Sequence, residues 1–122
     1  MSGAGHRLLT DALRRELPPF YATEHDADPL IWAKFFTPWA GWTWYVTEYD
    51  GEDLCFGLVD GFEAEMGYFS LSELESIRGP RGLVIERDHY FKPTPLSKIR
   101  RRIETRRARE EDPRLPFKGR GR

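Results

Sequence analysis

Two Asp-Gly pairs, at residues 50–51 and 60–61, separate runs in which apolar and polar side chains alternate. Alternation is typical of half-buried β-strands, and Asp-Gly supplies the positive φ angles that a tight hairpin turn needs. The runs WTWYVTEY, DLCFGLV and FEAEMGYF are therefore predicted to form a three-stranded antiparallel meander. In the first run, one face is predicted to carry Trp42, Trp44, Val46 and Glu48, and the other Thr43, Tyr45, Thr47 and Tyr49. We expect helices to cover one face of the sheet and leave an aromatic, hydroxyl-rich surface on the other.

The residues before the meander predict one helix and one strand. Leucines and alanines recur at helical spacing over residues 8–17, and Pro18-Pro19 ends this helix. Residues 31–36 are rich in strand-forming side chains and predict a first strand.

The residues after the meander predict a short helix, a strand and a longer helix. A capping box over residues 70–73 begins the short helix, and Gly79-Pro80 ends it. A last strand is predicted over residues 83–85, extending toward Phe91. Thr94 as N-cap and Pro95 at the first helical position predict the start of an Arg-rich helix.

The length of 122 residues allows one small domain. The predicted fold class is α+β: a small antiparallel sheet, made of the meander and one or two further strands, with an N-terminal, a short middle and a C-terminal Arg-rich helix. We expect residues 1–99 to form the domain and residues 100–122 to form a basic helical extension with a flexible tail.

The net charge of −1 conceals an asymmetry. Residues 1–92 contain 8 Lys and Arg against 16 Asp and Glu, whereas residues 93–122 contain 11 against 4. An acidic body favours basic partners, and a basic tail favours phosphates or an acidic surface. A solvated, charge-rich extension without any ligand is the alternative interpretation.

The leading functional hypothesis is a non-enzymatic interaction protein whose acidic body docks on a protein partner. The aromatic residues mostly serve the core, but those that flank turn signals are expected to be exposed and to join the acidic face. The candidate partner-binding residues are Glu48, Glu63, Glu65, Trp39 and Tyr49.

The second hypothesis is a nucleic-acid-binding accessory protein that uses the Arg-rich helix. Arginine stays charged and contacts phosphates through two N–H groups at once. Glu104, however, has the spacing to pair with Arg100 and Arg107, as in an ordinary solvated helix. The candidate nucleic-acid-binding residues are Arg100, Arg101, Arg102, Arg106, Arg107 and Arg109.

The third hypothesis is a metal-dependent hydrolase that uses Glu86 and Asp88, which precede His89, with Lys34 as a distant basic partner. A charged strand end is the more ordinary explanation of that run. Cys55 is predicted to be a buried, inert thiol, and neither a nucleophile elbow nor a Gly-rich phosphate loop occurs. The sequence therefore favours a protein that is not an enzyme and predicts no cofactor.

The cellular location is predicted from the cysteine content and the length of the apolar runs. The chain has one cysteine, no run of apolar residues typical of a signal peptide, and no stretch long enough to span a bilayer. These features favour a cytoplasmic protein that does not act at a membrane.

Several separate motifs, in order, resemble an uncharacterised bacterial family known as domain of unknown function 2958. The motifs lie at residues 8–10 (LLT), 34–38 (KFF-P), 42–53 (WTWYVTEYDGED), 56–74 (FGLVDGFEAEMGYFSLSEL) and 85–96 (IERDHYFKPTPL). The resemblance implies a single-domain cytoplasmic protein of plasmids, phages or other mobile elements, and it assigns no activity to any residue. The Arg-rich segment after Ile99 lies outside it.

Overall fold

The computed structural model describes residues 6–112 and residue 114. Seven strands in this part of the chain are all paired antiparallel. They are β1 (Leu30–Ile31), β2 (Ala33–Phe36), β3 (Thr43–Tyr49), β4 (Leu54–Asp60), β5 (Ala64–Ser70), β6 (Glu86–Arg87) and β7 (Thr94–Pro95). The main sheet has the order β5-β4-β3-β2-β6, and β1 pairs with β7 in a separate ribbon.

Three α-helices accompany the sheets: α1 (Asp11–Glu16), α2 (Leu71–Ser76) and α3 (Leu96–Glu111). A 3-10 turn occupies Pro80–Gly82. The predicted α+β class is confirmed, with its N-terminal helix, short middle helix and C-terminal Arg-rich helix.

The starts of α1 and α2 follow their capping residues. Thr10 caps α1 by accepting from the backbone N–H of Leu13. The helix therefore begins at Asp11 and is shorter than the pattern over residues 8–17 predicts. Ser70 caps α2 as predicted, accepting from the N–H of Glu73 at 3.2 Å. The Asp53 carboxylate adds to this cap, because it accepts from the N–H of Ser72 at 2.8 Å.

The predicted start of α3 is wrong by one residue, since the helix begins at Leu96 and not at Pro95. Thr94 and Pro95 pair with β1 as strand β7, so Thr94 does not cap the helix. The cap comes instead from Asp28, whose carboxylate accepts from the backbone N–H of Ser97 at 2.8 Å and from its hydroxyl at 2.7 Å. A carboxylate near a helix N-terminus also interacts favourably with the helix dipole.

The meander is confirmed as β3-β4-β5, but both turns are longer than the predicted tight turns. The first loop contains Asp50 and Gly51 at φ +90, and the Asp50 carboxylate accepts from three backbone N–H groups within the loop and at the start of β4. In the second hairpin, Asp60 is the last residue of β4 rather than a turn residue. Gly61 packs against the Trp42 ring and has no positive φ.

A β-bulge between Val46 and Glu48 corrects the predicted faces of β3. Beyond it, Tyr49 packs in the same core cluster as Trp44 and Val46, whereas Glu48 pairs with Phe56, on the opposite side. One extra residue in a strand moves every later side chain to the other face. The structure therefore places Glu48 and Tyr49 each on the face of the sheet opposite to the predicted one.

Both faces of the sheet carry a buried core. One cluster contains Leu8, Phe35, Trp44 and Ile85, and the other contains Tyr45 and Leu58 under Ile99 and Ile103 of α3. The expected exposed Tyr and Thr face is wrong, since Tyr45 and Thr47 are buried. The prediction of a last strand over residues 83–85 is wrong, since Val84 makes only an isolated bridge to Arg78. The strand at this place is β6, Glu86–Arg87, which pairs with β2.

Helix α3 crosses residue 99, the expected end of the domain, without a break. Ile103 lies in the core beneath it, so the basic segment belongs to the folded body as far as the end of α3. Of the predicted flexible tail, residues 113 and 115–122 lie outside the described residues.

Candidate functional site

The underside of α3 is fixed to the sheet by two arginines that share one carboxylate. Asp60 is 1% exposed, and its side chain accepts from Arg106 at 2.8 Å and from Arg107 at 2.5 Å. Arg107 also donates to the backbone carbonyls of Gly61 and Phe62. Two of the predicted nucleic-acid-binding arginines therefore serve structure, and Arg107 turns to Asp60 rather than to Glu104.

The ionisable groups at this anchor shift one another's pKa values. Burial raises the pKa of Asp60, but the hydrogen bonds from Arg106 and Arg107 outweigh it and hold that pKa below its usual value. The bond to Asp60 raises the pKa of Arg106. Burial and the Asp60 charge raise the pKa of the neighbouring Tyr45. At neutral pH the anchor is thus a carboxylate with two guanidinium ions, beside a neutral phenol.

The outer side of α3 carries a row of exposed cations, here called the basic stripe: Lys98, Arg101, Arg102 and Arg109. At 100° per residue, these four lie within about a third of the helix circumference, on the side away from Ile103 and Arg107. None of the four is in an ion pair with another residue in the described part of the chain. The stripe can therefore meet an anion without first breaking an internal pair.

Beside the stripe lies an open cleft of about 610 Å³ between α3 and the segment from β6 to β7. We call it the cationic cleft. Four cations and one carboxylate, that of Asp88, line this cleft. The Asp88 carboxylate lies 3.9 Å from the ammonium group of Lys34 and is therefore partly neutralised. The cations are Lys34, Lys92, Arg102 and Arg106, and the aromatic lining residues are Tyr45, Tyr90 and Phe91. Tyr90 is 90% exposed.

A second, wider cleft of about 1010 Å³ continues from this one toward the end of α3. It contains Glu86, Asp88 and His89, the run considered for hydrolysis, together with half-buried Trp39. Among the residues that the structure describes, no group of three or more His, Cys, Asp and Glu could hold a metal ion. The carboxylates of the run do not converge with a third ligand, so this geometry gives the hydrolase hypothesis no support.

Two of the five predicted partner-binding residues are buried. Glu48 is 5% exposed and accepts from the backbone N–H groups of Tyr21 and Thr23, each at 2.9 Å, and from the Thr23 hydroxyl. Tyr49 is 3% exposed, and its hydroxyl accepts from Arg14. Neither side chain is available to a partner, because the bulge in β3 and the segment around Tyr21 enclose them.

Glu63 and Glu65 are exposed as expected, at the edge of the sheet. They line a groove of about 360 Å³ that we call the edge groove, with Trp42, Val59, Phe62 and Met66 as its large apolar residues. Phe62 is 87% exposed and meets the Trp42 ring edge to face. This groove is what remains of the predicted acidic and aromatic surface.

Sequence reasoning missed Lys92, Lys98 and Tyr90 as site residues. Tyr90 follows the charged run at residues 86–89 and carried no periodic signal. Lys98 could have been found, since it is three and four residues before Arg101 and Arg102 on one helix face. Lys34 was predicted only as a distant basic partner of Glu86 and Asp88, and the pairing of β2 with β6 brings its ammonium to 3.9 Å from the Asp88 carboxylate.

Within the described range, no helix has the length and apolar character required to cross a membrane.

A family model described as "Protein of unknown function (DUF2958)" matches residues 6–109. No curated protein and no solved structure matches the chain. The matched range includes almost all of α3, and with it the three arginines of the basic stripe, which the sequence resemblance had left outside.

Proposed function

Because the chain belongs to the DUF2958 family, whose description assigns no activity, we propose a function from its own surfaces: it binds single-stranded nucleic acid across the basic stripe and the cationic cleft. The observation that carries the proposal is the position of the exposed Tyr90 in a cleft with four cations, next to a helix face with three more. Cations contact the phosphates, and an exposed ring offers a stacking platform to a base.

The charge balance of this surface supports a polyanion as ligand. Asp88 partly neutralises the charge of Lys34. Asp60 and Glu110 partly neutralise the charge of Arg106. Arg101, Arg102 and Arg109 have no such partner among the described residues. Phosphates spaced along one strand match cations spaced along one helix better than a single small anion does.

The rigid mounting of the helix supports the same function. Ile99 and Ile103 are buried, and Asp60 holds the far half of α3 through two arginines. Cations on a fixed element lose less conformational entropy on binding than cations on a loose tail. The basic stripe is thus presented to the ligand as a preorganised surface.

The test is fluorescence anisotropy of a labelled single-stranded oligonucleotide at several salt concentrations. The variant Arg101→Gln/Arg102→Gln should weaken binding and make the slope of log K against log salt shallower by about 1.4, or 0.7 per lost phosphate contact. The matched control is Arg7→Gln/Arg15→Gln, which changes the net charge equally on exposed residues near α1. The control should retain the wild-type slope.

Equal losses in the two variants would reject the site, since only net charge would then matter. Tighter binding of a duplex than of a single strand would reject the stacking part of the proposal. Undetectable binding by the wild-type protein at low salt would reject the function itself.

Docking on a basic protein partner is a second candidate function, favoured by the exposed Glu63 and Glu65 beside Phe62. The acidic surface is smaller than the sequence predicted, because Glu48 and Tyr49 are buried. A cytoplasmic location belongs to the proposal for either function, and the buried free thiol of Cys55 is consistent with it.

A further inference from the structure

One carboxylate lies among the cations of the cationic cleft. Asp88 lines the cleft together with Lys34, Lys92, Arg102 and Arg106. A carboxylate repels the phosphates of a nucleic-acid strand, so it weakens binding wherever a phosphate comes near it. A base, by contrast, is uncharged and presents N–H groups from which a carboxylate can accept. The position of Asp88 therefore suits contact with a base rather than with a phosphate.

Two hydrogen bonds hold this carboxylate close to the exposed ring of Tyr90. Oδ1 of Asp88 accepts from the backbone N–H of Tyr90 at 2.9 Å. The backbone N–H of Asp88 donates to the carbonyl of Lys34, also at 2.9 Å, which fixes the turn to β2. A base that stacks on the Tyr90 ring can therefore place its polar edge at the carboxylate.

The second oxygen of Asp88 has room for a ligand. Oδ2 lies 3.9 Å from Nζ of Lys34, which is an ion-pair distance but too long for a hydrogen bond. In the described part of the chain, the one hydrogen bond to this carboxylate is made at Oδ1. The side chains of Lys34 and Asp88 are 32% and 29% exposed, so a ligand in the cleft can reach both.

An ammonium group beside a carboxylate matches the Watson–Crick edge of guanine. This edge, which is unpaired in a single strand, presents the O6 acceptor and then two donors, N1–H and the N2 amino group. O6 can accept from Lys34 while both donors reach Asp88. Adenine presents the reverse order, with its amino group toward the ammonium and its N1 acceptor toward the carboxylate. Cytosine also sets an amino group against the ammonium, and thymine or uracil offers the carboxylate a single N–H.

We propose that the cationic cleft prefers guanine among the bases of a single strand. Tyr90 stacks on the base, Asp88 accepts from N1–H and the N2 amino group, and Lys34 donates to O6. This inference rests on the proposed single-strand binding and adds its base preference. The other cations of the cleft and the basic stripe contact the phosphates of the neighbouring nucleotides.

The test compares short labelled oligothymidylates that differ only in one central base, by fluorescence anisotropy at low salt. The strand with guanine should bind at least about 5-fold more tightly than the strand with adenine, the lower end of the discrimination typical of a bidentate base contact. Inosine lacks only the N2 amino group of guanine. The strand with inosine should therefore bind less tightly than the guanine strand and more tightly than the adenine strand.

Two matched variants test the assignment to Asp88. Asp88→Asn keeps an oxygen that can accept from the N–H of Tyr90, but it puts an amide donor in place of Oδ2. The preference for guanine over adenine should then be lost. Asp26→Asn is the control, because exposed Asp26 accepts from the N–H of Asp28 at 3.0 Å in the same kind of turn and its substitution removes the same charge. The control should retain the preference.

The outcomes separate this inference from the proposed function. Equal affinity of the wild-type protein for the guanine and adenine strands would overturn the base preference and leave single-strand binding standing. Retention of the preference in Asp88→Asn, or its loss in Asp26→Asn as well, would overturn the role of Asp88. Undetectable binding of every strand would reject the proposed function together with this inference.

Discussion

Arg106 of α3 and Asp60 at the end of β4 are 46 residues apart in the sequence, and their side chains form an ion pair of 2.8 Å. The carboxylate is buried, whereas the guanidinium side chain is 45% exposed. One end of the pair thus belongs to the core and the other to the cationic cleft. This pair makes an Arg-rich helix part of the domain while leaving its outer face to a ligand.

The substitution Asp60→Asn should reduce the free energy of unfolding by about 2 kcal/mol, since it removes charge-assisted hydrogen bonds to two arginines. The loss should stay below that of a fully buried pair, because water can reach both guanidinium groups. Urea denaturation followed by tryptophan fluorescence measures it. Asp11→Asn removes an exposed i,i+4 pair with Arg7 and serves as control, with an expected change below about 0.5 kcal/mol.

The contribution of Asp60 should also depend on pH in a defined direction. Its pKa in the folded protein is below the ordinary 3.8, so the folded state favours the charged carboxylate. The stabilisation is therefore complete above the ordinary value and is lost as the pH falls through the lower folded pKa. The difference in unfolding free energy between wild type and Asp60→Asn should be constant from about pH 7 to about pH 5 and shrink below 3.8.

Other carboxylates, such as Asp28 and Asp53, also have a lowered pKa, but both proteins contain them and their effects cancel in the difference. A difference that grew toward acid pH would contradict the assignment of a charged Asp60.

Tyr90 gives a prediction about stacking. The substitution Tyr90→Ala should weaken single-strand binding by about 5- to 150-fold, the equivalent of the 1–3 kcal/mol typical of base stacking on a ring. The salt slope should stay unchanged, because no cation is removed. Phe62→Ala is the matched control, since Phe62 is equally exposed but lies in the edge groove. Anisotropy titrations at several salt concentrations would contradict stacking if both variants bound like wild type.

The local parts of this fold could be predicted from the sequence. Alternation around Asp50-Gly51 and Asp60-Gly61 predicted the meander, and the Ser70 cap predicted α2. These signals act within a few residues of the chain, where turn and capping chemistry decides the conformation.

The site could be predicted only in part, because distant pairings decide it. Glu48 and Tyr49 were assigned to the wrong faces, since no residue pattern marked the bulge in β3. Asp60 looked like a turn residue until α3 supplied two arginines to it. The exposed cations of α3 could be recognised as basic, but which of them face solvent depended on where the helix packs.

Gly57 and Gly67 face each other across β4 and β5, and they should respond in opposite ways to alanine. A Cβ on Gly57 would lie 1.8 Å from the backbone oxygen of Tyr45, which cannot move without breaking the sheet. Gly57→Ala should therefore cost at least about 3 kcal/mol or prevent folding. A Cβ on Gly67 meets nothing, so Gly67→Ala should stabilise the protein by about 0.5 kcal/mol through reduced freedom of the unfolded chain. Equal unfolding free energies for the two variants would contradict the close approach of β4 to β3 at Gly57.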